Sequence, residues 1–251
     1  MASQKSSHEN FRKLEALGLE LKAKRAELET FVYTVSHELK TPVVTIEGFI
    51  KAFREDFGEL IPDEADRYLG YIDDAAKKMK LLIDDLLELS RIGRLPEEKV
   101  WFSFSDLVED VLAGLRAQID RKGIKIVIHG KFPTIYGEKK RLTVVMENLI
   151  SNAIKYIGKD NPRPLIEVGV KGQKGEYLFF VRDNGIGIEP SYEKKVFQVF
   201  QRSPAARKEA DGTGVGLAIA RGIVEYNDGN MWVETRPGQG STFFFTIKAE
   251  P

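Results

Sequence analysis

The 251-residue chain contains no cysteine, which excludes disulfides, thiol chemistry and cysteine-ligated metals. It also lacks an excess of either charge. Its 38 lysines and arginines are matched by 38 aspartates and glutamates, so no basic field favours nucleic acid as a partner. No apolar run approaches the roughly 20 residues of a membrane span. The start, MASQKSSHEN, has no apolar signal core. These absences fit a reducing cytosol, and a cytoplasmic location is expected. Histidine is scarce, with three residues in all, whereas 42% of the chain is hydrophobic. That fraction is enough to build one or two domains at this length.

Residues 10 to 57 carry an apolar stripe at helical spacing. Leu14, Leu17, Leu21 and Leu28 are followed by Val32, Val35, Leu39, Val43, Ile46, Ile50, Phe53 and Phe57. A helix of that length needs a partner helix along it. The strict 3-4 alternation breaks beside His37, where the apolar steps are four residues each, and this locally unwinds a coiled coil. Gly58 and Pro62 break the helix. A second seam, Leu69, Ile72, Ala76, Met79, Ile83 and Leu86, then steps by 3, 4, 3, 4 and 3. Two striped helices on a short loop predict a hairpin. Two copies should pair into a four-helix bundle, so a homodimer is expected.

RIGRLPEEK, residues 91 to 99, ends the hairpin and reads as a linker. From Trp101 on the pattern becomes mixed α/β. Strands are predicted at WFSF, IKIVIHG, LIEVGVKG, EYLFFVRDN, MWVETR and STFFFTIK. Helices are predicted over 105–121 with Ser105 as N-cap, over EKKRLTVVMENLISNAIKYIG, and over 214–227.

His37 lies two residues from both Val35 and Leu39, and at about 100° per residue it faces away from that seam, into water. Glu38 can hold one ring nitrogen and leave the other as a nucleophile. Thr41 lies one turn on, over the same face. Pro42 removes an amide and is expected to bend the helix just below. His8 falls near the start of the chain, and His129 ends a strand, where a structural role is expected.

The second half supplies a site for a phosphorylated ligand. VRDNGIGIEP places Asp183 at a strand end before Gly185 and Gly187, and DGTGVGLAIA places Gly212, Gly214 and Gly216 just before a helix. Glycines let backbone approach a ligand, and amides at a helix start attract phosphate. Neither loop has the context of a dinucleotide fingerprint or a P-loop. In ENLISNAIKY, Asn148, Asn152 and Lys155 share one face of a half-buried helix. Such asparagines need partners, and a side-chain oxygen among them can bind Mg²⁺.

SHELKTP, NLISNAIKY, DNGIGI, KVFQVFQR and GTGVGLAIA occur in that order. Together they resemble the H, N, G1, F and G2 boxes of sensor histidine kinases, over residues 28 to 249. The resemblance implies an α+β multidomain chain. Residues 1–27 form a helical signal linker, 28–93 the dimerisation and phosphoacceptor hairpin, 94–100 a linker, and 101–251 a GHKL-type α/β sandwich that binds ATP and Mg²⁺. It implies His37 as phosphoacceptor, Glu38 as its base or orienter, and Thr41 as the residue that positions water for dephosphorylating the partner. Asn152 is implied as the main Mg²⁺ ligand, with Asn148 supporting it. Lys155 and Tyr156 match phosphate and ribose contacts, and Asp183 matches the carboxylate that accepts the adenine amino group. Gly185, Gly187, Gly212, Thr213, Gly214, Gly216 and Leu217 line the nucleotide, with Thr242 reaching adenine through water. Residues 189–211 match the mobile lid, Phe197 and Phe200 its hinge aromatics, and Arg202 its γ-phosphate donor. Lys40 stands where arginine is common, and Val215 where leucine is frequent.

The implied function is autophosphorylation of His37 by ATP and transfer to an aspartate of a response-regulator receiver domain, with dephosphorylation of that partner. A sensor region is expected to lie outside this chain. One rival is an ATP-hydrolysing clamp of the GHKL superfamily, which uses a glutamate four residues before the metal asparagine; here that position is Asn148. A catalytically silent dimeric scaffold is the other, and the intact boxes count against it.

Overall fold

The computed structural model describes residues 2–93, 97–173 and 175–249. The chain divides into two compact units, Met1–Ser90 and Arg91–Pro251. In the first, α1 (Ala2–Phe57) and α2 (Asp63–Arg91) are joined by a 3₁₀ turn at Gly58–Leu60. The side chains of Leu14, Leu17, Leu21 and Leu28 lie outside the described residues. α2 begins just after Pro62 and carries Asp63, Glu64 and Asp66 in its first turn, where the helix dipole favours acids. α1 continues through Pro42, whose missing amide leaves the Glu38 carbonyl without its helical donor.

Three ion pairs at seven-residue intervals on α1 set the hairpin register. Lys40 meets Asp84 at 2.7 Å, Glu47 meets Lys80 at 3.0 Å, and Arg54 meets Asp66 at 2.8 Å. Each is part-exposed and contributes under about 1 kcal/mol. They fix alignment more than stability. The apolar core between the helices is a thin cluster of Val43, Ala76, Ile83 and Leu87.

The seam predicted as buried beside His37 is not covered within one chain. Val35 is 37% and Leu39 50% exposed, while Ser36 is buried. α1 carries two apolar faces, and a single hairpin covers only the one containing Val43 and Ile50. The same holds on α2, where Ala76 and Ile83 are buried but Ile72 and Met79 stay exposed.

The second unit is a two-layer α/β sandwich. β2 (Lys125–His129), β4 (Leu165–Gln173), β5 (Glu176–Asp183), β7 (Gly240–Lys248) and β6 (Met231–Arg236) lie side by side in that order. Only the β2–β4 pair is parallel. A separate ribbon pairs β1 (Val100–Ser103) with β3 (Thr134–Gly137). β3 was not predicted, because it is short and only alternate residues are buried. Helices α3 (Phe104–Gly114), α5 (Lys139–Lys155) and α7 (Gly216–Tyr226) cover one sheet face.

Period-two alternation sorts the two sheet faces. Phe179, Val181, Phe243 and Phe245 are buried. Phe104 packs at a tilt against Phe179 at 4.1 Å between centroids, and Phe179 stacks on Phe245 at 5.0 Å. Each aromatic pair adds about 0.5–1.5 kcal/mol beyond area burial. Arg182, Trp232, Thr242 and Phe244 fall on the other face.

The helix predicted over 105–121 starts earlier and divides. Ser103, not Ser105, is the N-cap: its hydroxyl accepts from the Asp106 amide at 3.3 Å and bonds the Asp106 carboxylate at 3.0 Å. This lets Phe104 enter the core at the first helical position. The helix ends at Gly114, and α4 (Arg116–Arg121) continues after Leu115. A further short helix, α6 (Pro204–Glu209), lies within the predicted lid, capped by Ser203 with proline at its start.

Candidate active site

Strand β5 delivers Asp183 to the buried face at the sheet end. One carboxylate oxygen accepts the Gly185 amide at 2.8 Å and the Ser241 amide at 3.3 Å. Burial nevertheless dominates and pushes the carboxyl up to about 6, against the lowering pull of those two amides. A buried acid retained at that cost is characteristic of a ligand site.

The glycine loops close tightly around it. A Cβ on Gly185 would stand 2.1 Å from the Tyr156 carbonyl oxygen, so only glycine fits. The Ile186 amide donates to that same carbonyl at 3.0 Å, which ties the loop to the end of α5. On the opposite side a Cβ on Gly216 would fall 2.1 Å from the Asn148 side-chain oxygen, so α7 begins directly against α5. Asn148 also donates to the Val144 carbonyl at 2.9 Å. Asn152, one turn further along α5, is half-buried. Its side-chain amide makes no hydrogen bond among the described residues and is available as a metal or phosphate ligand. Lys155 is half-buried at the end of α5, and Tyr156 caps it.

The lid segment joins the same neighbourhood. Gly212 lies close to both the Tyr156 hydroxyl and the Arg202 guanidinium, 3.8 and 4.0 Å from where its Cβ would be. Arg202 is held by lid carbonyls, donating to Gly212 at 3.1 Å, Ala206 at 2.8 Å, and also Ala210. Its Nε is buried without a partner. So are Glu189 Oε2 and Glu209 Oε1, and among the described residues these are the only such atoms. All three lie within residues 189–211, and buried polar atoms without partners are costly. Phe200 adopts φ 63, uncommon for a side chain of that size. Its amide bonds the Gly214 carbonyl at 2.9 Å, fastening the lid to the second glycine loop. Phe197 packs edge-on against Phe243 at 6.2 Å, with the Arg221 guanidinium over its ring at 5.4 Å. Thr213 and Leu217 flank Gly214 and Gly216 and are half-buried, and Gly187 turns beneath the β6–β7 hairpin, against the Arg236 carbonyl.

Thr242 is not the residue beside the Asp183 carboxylate. It pairs with Arg182 in the β5–β7 register. It therefore alternates with the buried Phe243 and falls on the sheet face of Arg182 and Phe244. The residue beside Asp183 is Ser241, one position earlier. Ser241 is buried, its amide bonds the carboxylate, and its hydroxyl lies 2.9 Å from the Thr235 hydroxyl. Thr235 in turn accepts the Ile188 amide at 2.9 Å. A one-residue error in strand register exchanges the two faces, and a small buried hydroxyl in an apolar strand was the missed signal.

In the first unit His37 is exposed, with 68% of its side chain accessible, and its Nδ1 stands 3.7 Å from Glu38 Oε1. That is an ion-pair distance, longer than a hydrogen bond. Nε2 is left to solvent. Thr41 is exposed one turn along, and its carbonyl accepts the Thr45 hydroxyl at 3.0 Å. His129 ends β2, with its Nε2 2.7 Å from Glu167 across the β2–β4 pair.

Two family descriptions match, covering both units. Residues 27–95 match the His Kinase A (phospho-acceptor) domain, and residues 137–251 match the histidine kinase-, DNA gyrase B- and HSP90-like ATPase. The chain belongs to the sensor histidine kinases. The methanogenesis regulatory histidine kinase FilI of Methanothrix harundinacea is 41% identical over 91% of this chain and 25% of its own length. The phytochrome-like protein Cph1 of Synechocystis is 32% identical over 93% of this chain and 31% of its own. The chain thus spans a quarter to a third of these relatives. Among solved structures, full-length ShkA in complex with AMPPNP superposes with a TM-score of 0.71 at 23% identity, over 88% of this chain and 46% of that one. Histidine kinase ThkA in complex with the response regulator TrrA gives 0.63 at 22% identity, over 93% and 66%. These likenesses carry the fold. No described helix is long and apolar enough to cross a membrane.

Proposed function

We propose that this chain is an ATP-dependent protein-histidine kinase that phosphorylates His37 and passes the phosphoryl group to a response-regulator aspartate. One observation carries the reading: a solvent-facing imidazole, with a carboxylate 3.7 Å from its Nδ1, shares a chain with a buried acceptor suited to adenine. Asp183 accepts the adenine amino group, with the Ser241 amide and hydroxyl chain holding the carboxylate in place. Adenine donates where guanine presents a carbonyl, so this selects ATP over GTP. Asn148, Asn152, Lys155 and Tyr156 face the phosphates and ribose from α5, and the glycine loops give backbone room. Mg²⁺, when bound, supplies charge neutralisation between phosphate oxygens. Asn152 and Asn148 would hold it through their side-chain oxygens. Arg202 exchanges lid carbonyls for the γ-phosphate, a planar guanidinium being suited to both.

The neutral His37 ring carries its proton on Nδ1 and attacks the γ-phosphorus through Nε2. An N–P bond forms as the bond to the ADP oxygen breaks, and the Nδ1 proton passes to Glu38. Dimerisation covers the second apolar face, including Leu39, Ile46, Ile72 and Met79. Thr41 positions water for the reverse, dephosphorylating function. Incubation with ATP labelled in the γ-phosphate tests the reading. The expected label is acid-labile, base-stable and absent from His37→Gln. A label that survives acid, or persists in that variant, overturns it.

A further inference from the structure

The last residue of α2 and the chain beyond it are fastened to the ATP-binding unit by a group that the nucleotide chemistry does not use. Arg141, on the first turn of α5, is buried with Glu138, and their side chains meet at 3.0 Å. Arg141 also donates to the carbonyl of Arg91 at 3.3 Å, one of the carbonyls that a helix end leaves without a partner. Glu138 accepts the Glu97 amide at 3.1 Å through its other oxygen. A single buried ion pair therefore grips the chain on both sides of residues 94–96.

α7 completes the grip. The Arg141 guanidinium lies 5.0 Å from the centroid of the Tyr226 ring. The same ring abuts Gly93, whose φ of +85 and missing Cβ allow the approach. Ile92 is buried against Gly222, where a Cβ would stand 3.1 Å from its terminal methyl.

We infer that Glu138, Arg141 and Tyr226 form a clamp that holds residues 91–93 and Glu97 as part of the ATP-binding unit. The motion that brings the phosphoryl donor to His37 then bends the chain before Arg91, within the last turns of α2. These are positioning residues, since none of them touches the adenine or glycine-loop groups.

The inference rests on the kinase reading for its rate measurement, and its exchange measurement stands without it. Amide exchange over 91–99 is followed in the full chain for Tyr226→Leu, Arg141→Met and Gly222→Leu, with Tyr226→Phe as the conservative control. Gly222→Leu displaces Ile92 while improving the helix propensity of α7, so it preserves the fold if Arg141→Met does not. Each disrupting variant is expected to speed exchange in that segment. ATP affinity should stay within about twofold, and autophosphorylation at saturating ATP should fall about ten-fold or more. Tyr226→Phe keeps the ring face and should behave as wild type. Unchanged exchange in all three variants would overturn the clamp. So would faster exchange with a wild-type phosphorylation rate. If the wild-type chain shows no phosphorylation, the kinase reading fails, and exchange alone decides the clamp.

Discussion

Asp183 is held at a cost to the folded state, and Asp183→Asn should expose that cost. Burial raises its carboxyl from 3.8 to about 6. The native state therefore binds more protons than the unfolded state between those two values, so stability falls as pH rises through the window. The difference is roughly 2 units, or on the order of 3 kcal/mol at 1.36 kcal/mol per unit. It is absent below about pH 4 and fully present above pH 6. Asparagine is a neutral isostere whose oxygen can still accept the Gly185 and Ser241 amides. The nucleotide-free variant should thus be more stable than wild type at pH 7.5 and equal to it near pH 4. For a domain of this size that is a rise in melting temperature of about 6–12 °C.

The assay is simple here. Both tryptophans, Trp101 and Trp232, lie in the ATP-binding unit, so their fluorescence reports its melting alone. The same variant should bind ATP about ten- to a hundred-fold more weakly, having lost a charge-assisted hydrogen bond of about 1.5–3 kcal/mol. Wild-type ATP affinity should also decline as pH falls below about 6, and the variant should lack that part of the dependence. A variant less stable than wild type at pH 7.5, or a stability gap that does not change with pH, would refute burial as the dominant influence on Asp183.

His37→Gln should retain ATP affinity within about a few-fold while accepting no phosphoryl group, measured by equilibrium binding beside a labelling assay. Thr41→Ala should keep autophosphorylation within several-fold yet slow dephosphorylation of the cognate regulator about ten-fold or more; equal loss of both would make Thr41 merely a part of the turn before Pro42. Ile72→Glu puts a charge on the exposed apolar face of α2 and should shift the chain to monomer in sedimentation. Retention of a dimer would exclude that face from the interface.

Much of this fold is legible because its elements obey one period each. The stripes of α1 and α2, the Asn148–Asn152 face of α5 and the alternating aromatics of β5 and β7 follow directly from side-chain spacing. What sequence reading missed depended on a neighbour distant in the chain. Val35 and Leu39 read as buried because periodicity marks an apolar face without saying which molecule covers it. Ser241 was missed because register, and hence face, is set by the pairing with β5. Ser103 was passed over as N-cap because Phe104 fits a strand equally well until its contact with Phe179 is known. The Ser203–Pro204 start of α6 was a readable signal, obscured by the expectation of a mobile lid.

The unsatisfied features of the molecule are unevenly placed, and their kinds indicate what completes each unit. In the hairpin the deficit is apolar: exposed Leu39, Ile46, Ile72 and Met79 beside a four-residue buried cluster. Apolar deficits are met by burial, which is non-directional and suits a second copy of the same surface. In the ATP-binding unit the deficit is polar. Asp183 is buried against its charge, and Glu189, Arg202 and Glu209 each hold a buried atom without a partner. Polar deficits are met only by groups of matching geometry, which suits a small ligand bearing an amino edge and phosphates. A lid that is polar, buried and unpartnered can gain more from such a ligand than a relaxed loop would, because each new hydrogen bond removes an existing penalty. In the reading proposed above, Arg202 would give up the Ala206 carbonyl within α6, the Ala210 carbonyl at its C-cap and the Gly212 carbonyl beyond it, so its release should loosen α6 as the ligand is engaged. Ligand recognition and lid movement are on this account the same exchange of hydrogen bonds, made by one side chain.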